Sequence, residues 1–78
     1  SFAIRTDIYN YLRQQCSFSA ADLNNTKEIW LQAQDVFEDP LLEIAMLKAK
    51  AREAKKTTQA FIVAYIKGKI ADAMSKKK

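Results

Sequence analysis

The sequence predicts an all-α protein, a three-helix domain whose C-terminal helix is long. Glycine and proline occur once each in 78 residues, and 49% of the residues are hydrophobic, which is typical of a folded helical domain rather than a disordered chain. Apolar residues recur at spacings of three and four, the period of an amphipathic helix. Because a chain of this length has interior for one core only, we expect residues 1–78 to form a single domain.

The first helix is predicted near residues 7–16. Thr6 is a plausible N-cap, and Asp7 suits the positive end of the helix dipole. Ser17 and the residues after it interrupt the pattern. The apolar face of this helix consists of Ile4, Ile8, Tyr11, Leu12 and Cys16.

Two capping signals follow this interruption. Ser19 lies three residues before Asp22, a weaker form of the capping box, and predicts a short helical turn. Asn25 lies three residues before Glu28 and predicts the start of the second full helix. The inward face of that helix is predicted to be Ile29, Trp30, Ala33, Val36 and Phe37.

Asp39 and Pro40 mark the start of the third helix, since proline suits the first turn of a helix that is capped by aspartate. Residues 41–67 contain neither glycine nor proline and are rich in strong helix formers. The simplest prediction is one helix over residues 40–74. The alternative is a four-helix bundle, in which this helix breaks near Thr57 and folds back. The absence of a breaker or a capping carboxylate around residues 56–58 favours the continuous helix.

This long helix carries two different surfaces. Its first half has a basic stripe that includes Lys48, Arg52, Lys55 and Lys56, and the same row becomes apolar in the second half. A helix of residues 40–74 is roughly 50 Å long, whereas the earlier helices span roughly 15–20 Å each and cannot cover both ends of it. The sequence therefore predicts self-association, most simply a dimer. Its partner interface is expected to be Val63, Ile66, Ile70 and Met74.

Charge is the main functional clue. Residues 1–47 include three basic and seven acidic residues, whereas residues 48–78 include ten basic and two acidic residues. The net charge of the chain is +4. Lysines displace counterions from phosphates without a fixed geometry, so the sequence predicts docking on an acidic macromolecule, preferably nucleic acid, in a DNA-binding or regulatory role. The Lys76–Lys78 end is predicted to be a frayed basic tail. The candidate nucleic-acid-binding residues are Lys48, Arg52, Lys55, Lys56, Lys67 and Lys69.

Three other interpretations of the charge and the apolar face remain open, and two more are disfavoured. The basic stripe is equally typical of a solvated helix face, or its lysines contact the acidic segment of a second copy. The apolar C-terminal face also fits a protein–protein assembly adaptor or inhibitor. An interfacial membrane helix is disfavoured because residues 60–66 leave too narrow a polar face. A helix-turn-helix is disfavoured because its recognition helix would carry Lys27 against Glu28, Asp35 and Glu38.

The chemistry of most enzymes is missing from this sequence. It has no histidine and one glycine, so the usual general bases, phosphate loops and zinc ligands are absent. We therefore expect neither catalysis nor a cofactor, and Cys16 is interpreted as a core residue. The longest apolar run, residues 60–66, is too short to span a bilayer, and we expect a cytoplasmic protein.

Overall fold

The computed structural model describes residues 4–76, and these residues form helices and no strand. The all-α class is confirmed. Two residues of the predicted tail, Lys77 and Lys78, lie outside the described residues. The helices are α1 (Thr6–Gln15), α2 (Ala20–Asn25), α3 (Lys27–Val36), α4 (Pro40–Glu53) and α5 (Thr58–Ser75).

Two of the predicted helix starts are confirmed by their side-chain hydrogen bonds. Ser19 and Asp22 form the reciprocal capping box of α2, with both bonds at 3.0 Å. The Asp39 carboxylate accepts a hydrogen bond from the Leu42 N–H at 3.2 Å, and Pro40 occupies the first position of α4. These caps satisfy N–H groups that a helix leaves unpaired at its start.

The predicted Asn25 cap is wrong, because α3 begins after Thr26 instead. The Thr26 hydroxyl donates to the Asp22 carbonyl at 2.8 Å and accepts from the Trp30 indole N–H at 2.8 Å. Trp30 is 1% exposed, and Phe18 meets it edge to face at a centroid distance of 5.6 Å. Thr26 thus joins α2 to α3 and gives the buried indole its acceptor.

The prediction of one helix over residues 40–74 is wrong. The chain leaves α4 after Glu53 and enters α5 at Thr58, close to the break that the four-helix alternative requires. Lys55 adopts the left-handed conformation with φ of 56°. The Lys56 N–H donates to the Ala51 carbonyl at 3.0 Å and the Lys55 N–H donates to the Arg52 carbonyl at 3.2 Å. This is the Schellman pattern, which ends a helix through backbone bonds alone.

The reversal makes α4 and α5 an antiparallel hairpin. Lys69 Nζ lies 2.8 Å from Glu43 Oε2, and Lys50 Nζ lies 5.5 Å from the centre of the Tyr65 ring, so later residues of α5 meet earlier residues of α4. α5 packs most extensively against α4 and α3. None of the described helices combines the length and the apolarity that crossing a membrane requires.

The second surface predicted for the long helix is largely inside the chain. Ile66 is 0% and Ile70 is 4% exposed, and Val63 packs against the core from its edge. These assignments to a partner interface are corrected, because folding back at the α4–α5 loop lets α3 and α4 cover the same row of side chains. Of the four predicted interface residues, only Met74 is exposed.

Candidate nucleic-acid interface

The α4–α5 loop gathers four cations at one end of the hairpin. Arg52 lies in the last turn of α4, Lys55 and Lys56 form the loop itself, and Lys48 lies about one turn earlier. The side chains of Arg52, Lys55 and Lys56 are exposed, and Lys48 is half-buried. We call these four residues the basic loop. The one acidic residue within residues 48–56 is Glu53.

Contacts with α1 hold Lys48 in place. Its Nζ donates to Gln15 Oε1 at 3.4 Å and lies 5.8 Å from the centre of the Tyr11 ring, within the range of a cation–π contact. Burial raises the pKa of the Tyr11 hydroxyl. Lys48 is therefore a positioned cation between α1 and α4 and not a freely rotating side chain.

None of the four basic-loop cations forms an ion pair with another described residue. Within residues 4–76 the ion pairs are Arg5–Asp7 at 2.6 Å and Lys69–Glu43 at 2.8 Å, and neither includes a basic-loop residue. Because like charges that are not neutralised raise the local potential, the loop is a concentrated positive surface. Such a surface attracts anions from solution.

Two of the six candidate nucleic-acid-binding residues lie away from this surface. Lys67 is nine residues into α5, roughly 14 Å along the helix from its start. Lys69 lies farther along and forms its ion pair with Glu43, a hydrogen bond that raises the pKa of the lysine. The structure thus brings four of the six predicted residues together and leaves two apart.

The start of α5 contributes to the positive potential at the same end. Thr57 precedes the helix without a side-chain cap, and the first turn contains no acidic residue. Helix N-termini carry partial positive charge on their unpaired N–H groups.

The Gln59 amide donates to the Ser17 carbonyl, which ties α5 to the end of α1. A polar cleft between the two is lined by Gln15, Cys16, Ser17, Thr57, Thr58 and Gln59.

An exposed apolar surface on the α4–α5 hairpin was missed by the sequence analysis. Leu42 is 55%, Met46 is 49% and Tyr65 is 42% exposed. Leu42 and Met46 lie one turn apart on α4, and Lys50, one turn farther, covers part of the Tyr65 ring. We call Leu42, Met46 and Tyr65 the outer face. The signal for it was the nearly continuous apolar run at residues 40–47, which is wider than one helix stripe.

The described residues offer little to a metal ion or a nucleophilic mechanism. No group of three potential metal-binding side chains lies together within residues 4–76. Cys16 is a free thiol that is 1% exposed, and burial raises its pKa to about 11 against a smaller opposing effect of Lys48. A buried, protonated thiol is a poor nucleophile.

Comparison of the chain with protein-family models, with curated proteins and with solved structures finds no match.

Proposed function

We propose that the protein is a non-enzymatic nucleic-acid-binding protein that docks its basic loop on the phosphate backbone. The observation that carries this proposal is the grouping of Lys48, Arg52, Lys55 and Lys56 at one end of the hairpin without an ion pair in the described chain. Each lysine or arginine that neutralises a phosphate releases a condensed counterion, which drives binding without sequence recognition.

Helix capping explains only part of this cluster. Cations in the last turn of α4 interact favourably with its C-terminal carbonyls, and Lys50 and Arg52 already lie there. The loop also faces the N-terminus of α5, where the helix dipole has the opposite sign. The two dipoles oppose each other at Lys55 and Lys56, so helix stability alone gives no reason for two consecutive lysines. Phosphate binding does give a reason for two consecutive lysines at this position.

The arrangement favours backbone contact over base recognition. The aromatic ring that a basic-loop cation contacts within the described residues is that of Tyr11, which is half-buried and lies under Lys48. Binding of single strands normally uses exposed aromatic rings on which bases stack. The exposed cations of the basic loop instead match the phosphates of a duplex, which position a protein without specifying sequence.

The test is the binding of labelled duplex DNA of random sequence, measured by fluorescence anisotropy across a salt series. With up to four phosphate contacts, the affinity should fall on the order of 10²-fold between about 50 and 200 mM salt. The Lys55→Gln/Lys56→Gln variant should bind more weakly and with a shallower salt dependence. No binding of the unaltered protein at the lowest salt concentration would sink the proposal.

A second candidate function is assembly of two copies through the outer face. Leu42, Met46 and Tyr65 are large hydrophobic residues that the hairpin leaves exposed, and exposed apolar patches mark interaction sites. The rim of this face on α4 carries both signs of charge, since Lys50 and Glu53 follow Met46 along the helix. A two-fold copy brings such a rim against itself without net repulsion, so the proposed occupant is a second molecule of this chain.

Sedimentation velocity over a concentration series tests this second candidate. The sedimentation coefficient of the unaltered protein should rise with concentration, and that of a Met46→Lys variant should not. Because Met46 is half-exposed, this substitution should leave the unfolding free energy within about 0.5 kcal/mol. A protein that remains a monomer throughout the series would contradict assembly.

A further inference from the structure

Lys55 stands in a backbone position that favours glycine. Its φ of 56° lies in the left-handed region, where the Cβ of any L-residue approaches the following carbonyl oxygen. This is the C′ position of the Schellman motif that ends α4, and glycine is the usual residue there because it has no Cβ. Lysine therefore makes the loop less stable than glycine would.

Nothing in the described contacts of Lys55 offsets this cost. Its side chain is exposed and makes no hydrogen bond or ion pair with residues 4–76. Its backbone N–H donates to the Arg52 carbonyl, a bond that glycine forms equally well. The dipole of α4 already has Lys50 and Arg52 beside its C-terminus. What lysine adds at this position is an exposed positive charge at the tip of the hairpin.

We infer that Lys55 is a direct phosphate-binding residue of the basic loop, and that the loop is less stable than it needs to be because this contact requires a cation at the C′ position. The inference rests on the proposed nucleic-acid binding and deepens it. It assigns the main contact to the exposed turn residue whose left-handed backbone ends α4. Local strain that persists without a stabilising contact is typical of functional positions.

The experiment compares the thermal stability and the DNA binding of two substitutions at this residue. Lys55→Gly removes the charge and the backbone strain, whereas Lys55→Gln removes the charge and keeps the Cβ. Lys55→Gly should raise the midpoint of thermal unfolding by roughly 4 °C or more, and Lys55→Gln should leave it nearly unchanged. Log K for duplex DNA falls as log salt rises. Both substitutions should make this dependence shallower, reducing the magnitude of the slope by about 0.9, the value for one phosphate.

Two control variants separate these effects. Within residues 4–76, Ser17 is the other non-glycine residue with a left-handed backbone, with φ of 61°, so Ser17→Gly relieves similar strain without changing charge. It should raise the unfolding midpoint and leave the salt slope unchanged. Lys76 ends α5, roughly 27 Å along that helix from the basic loop. Lys76→Gln removes one charge and should leave the salt slope unchanged.

The outcomes distinguish the inference from the proposed function. If the unaltered protein binds DNA and both Lys55 variants keep its salt slope, the inference is overturned while binding through other cations stands. If Lys76→Gln lowers the slope as much as Lys55→Gln does, a diffuse charge effect replaces the direct contact and the inference fails. If the unaltered protein binds no DNA at low salt, the proposed function itself fails.

Discussion

Cys16 is the residue whose chemistry the fold changes most. The thiol is 1% exposed, and burial raises its pKa from 9.0 to about 11. The folded protein thus holds this proton more tightly than the unfolded chain does. The resulting stabilisation is fully present below pH 9 and is lost as the pH rises towards 11, because the unfolded thiol ionises first.

We predict that alkaline pH weakens the fold through this thiol. Between pH 9 and 11 the unfolding free energy should fall by on the order of 2 kcal/mol more than in a Cys16→Ala variant, which has no thiol to ionise. Urea unfolding of both proteins across this range measures the difference. The two proteins share all their other titratable groups. Parallel pH profiles would show that ionisation of Cys16 does not contribute.

Thr26 is a second residue whose role is local and testable. Its hydroxyl accepts the hydrogen bond of the Trp30 indole in the core. A Thr26→Val substitution keeps the shape but leaves that buried donor unpaired, which should cost about 1–3 kcal/mol of unfolding free energy in urea titrations. Thr57→Val is the matched control, because the Thr57 side chain makes no capping bond. Equal losses in both variants would contradict the role of the Trp30 bond.

At the scale of elements, the buried residues of α5 test whether this helix belongs to the core of the chain or to an interface between copies. Ile66 is fully buried within the chain, whereas Met74, two turns later, is 55% exposed. Ile66→Ala should therefore cost about 2–5 kcal/mol of unfolding free energy, and Met74→Ala about 0.5 kcal/mol or less. The value for Ile66→Ala should not depend on protein concentration. A loss that appears only at concentrations where the protein associates would return Ile66 to an interface.

The sequence shows where these helices begin better than where they end. Ser19 with Asp22, and Asp39 with Pro40, start helices through side chains that a reader of the sequence can recognise. The end of α4 depends on backbone hydrogen bonds around a lysine in the left-handed conformation. No glycine or proline in the sequence marks this helix end. The prediction of a continuous helix followed from this missing signal.

That single error explains the misassigned interface. Ile66 and Ile70 are on one helical row with Lys56 only if the helix is straight. Once the chain reverses at the loop, the row is interrupted, and its second half turns towards α3 and α4. The grouping of the basic residues does not depend on a straight helix. Lys48, Arg52, Lys55 and Lys56 are close in sequence and stay together whether the helix bends or not. Lys67 and Lys69 depended on the straight helix and lie apart.

In the whole molecule, the fold places the acidic and the basic residues of this part of the sequence at opposite ends of α4. α4 runs from an acidic start, with Asp39 and Glu43, to the basic loop at its end. Met46 of the outer face is eight residues from Ala54, roughly 12 Å along the helix from the two loop lysines, and Lys48 lies about 200° around α4 from Met46. The proposed nucleic-acid binding and the proposed self-association would therefore use different surfaces, and we expect substitutions in one surface to leave the other intact.

This separation gives a prediction about salt dependence. If the outer face joins two copies, a dimer presents two basic loops, and a long duplex that contacts both should show about twice the salt slope of a monomer. The double variant Leu42→Gln/Met46→Gln keeps the net charge and uses good helix formers at exposed positions. It should sediment as a monomer, keep its unfolding free energy within about 1 kcal/mol, and bind DNA with about half the slope.

The control for this variant is Lys55→Gln, which should sediment as the unaltered protein does while losing about one phosphate contact. Combining the two changes should add their effects, because sites more than about 10 Å apart without shared partners act independently. If the double variant becomes monomeric but keeps the full salt slope, one loop per duplex is the binding unit and the outer face serves another purpose. If the Lys55→Gln variant loses self-association, the two surfaces are coupled, and the basic loop of one copy contacts the second copy instead of a phosphate.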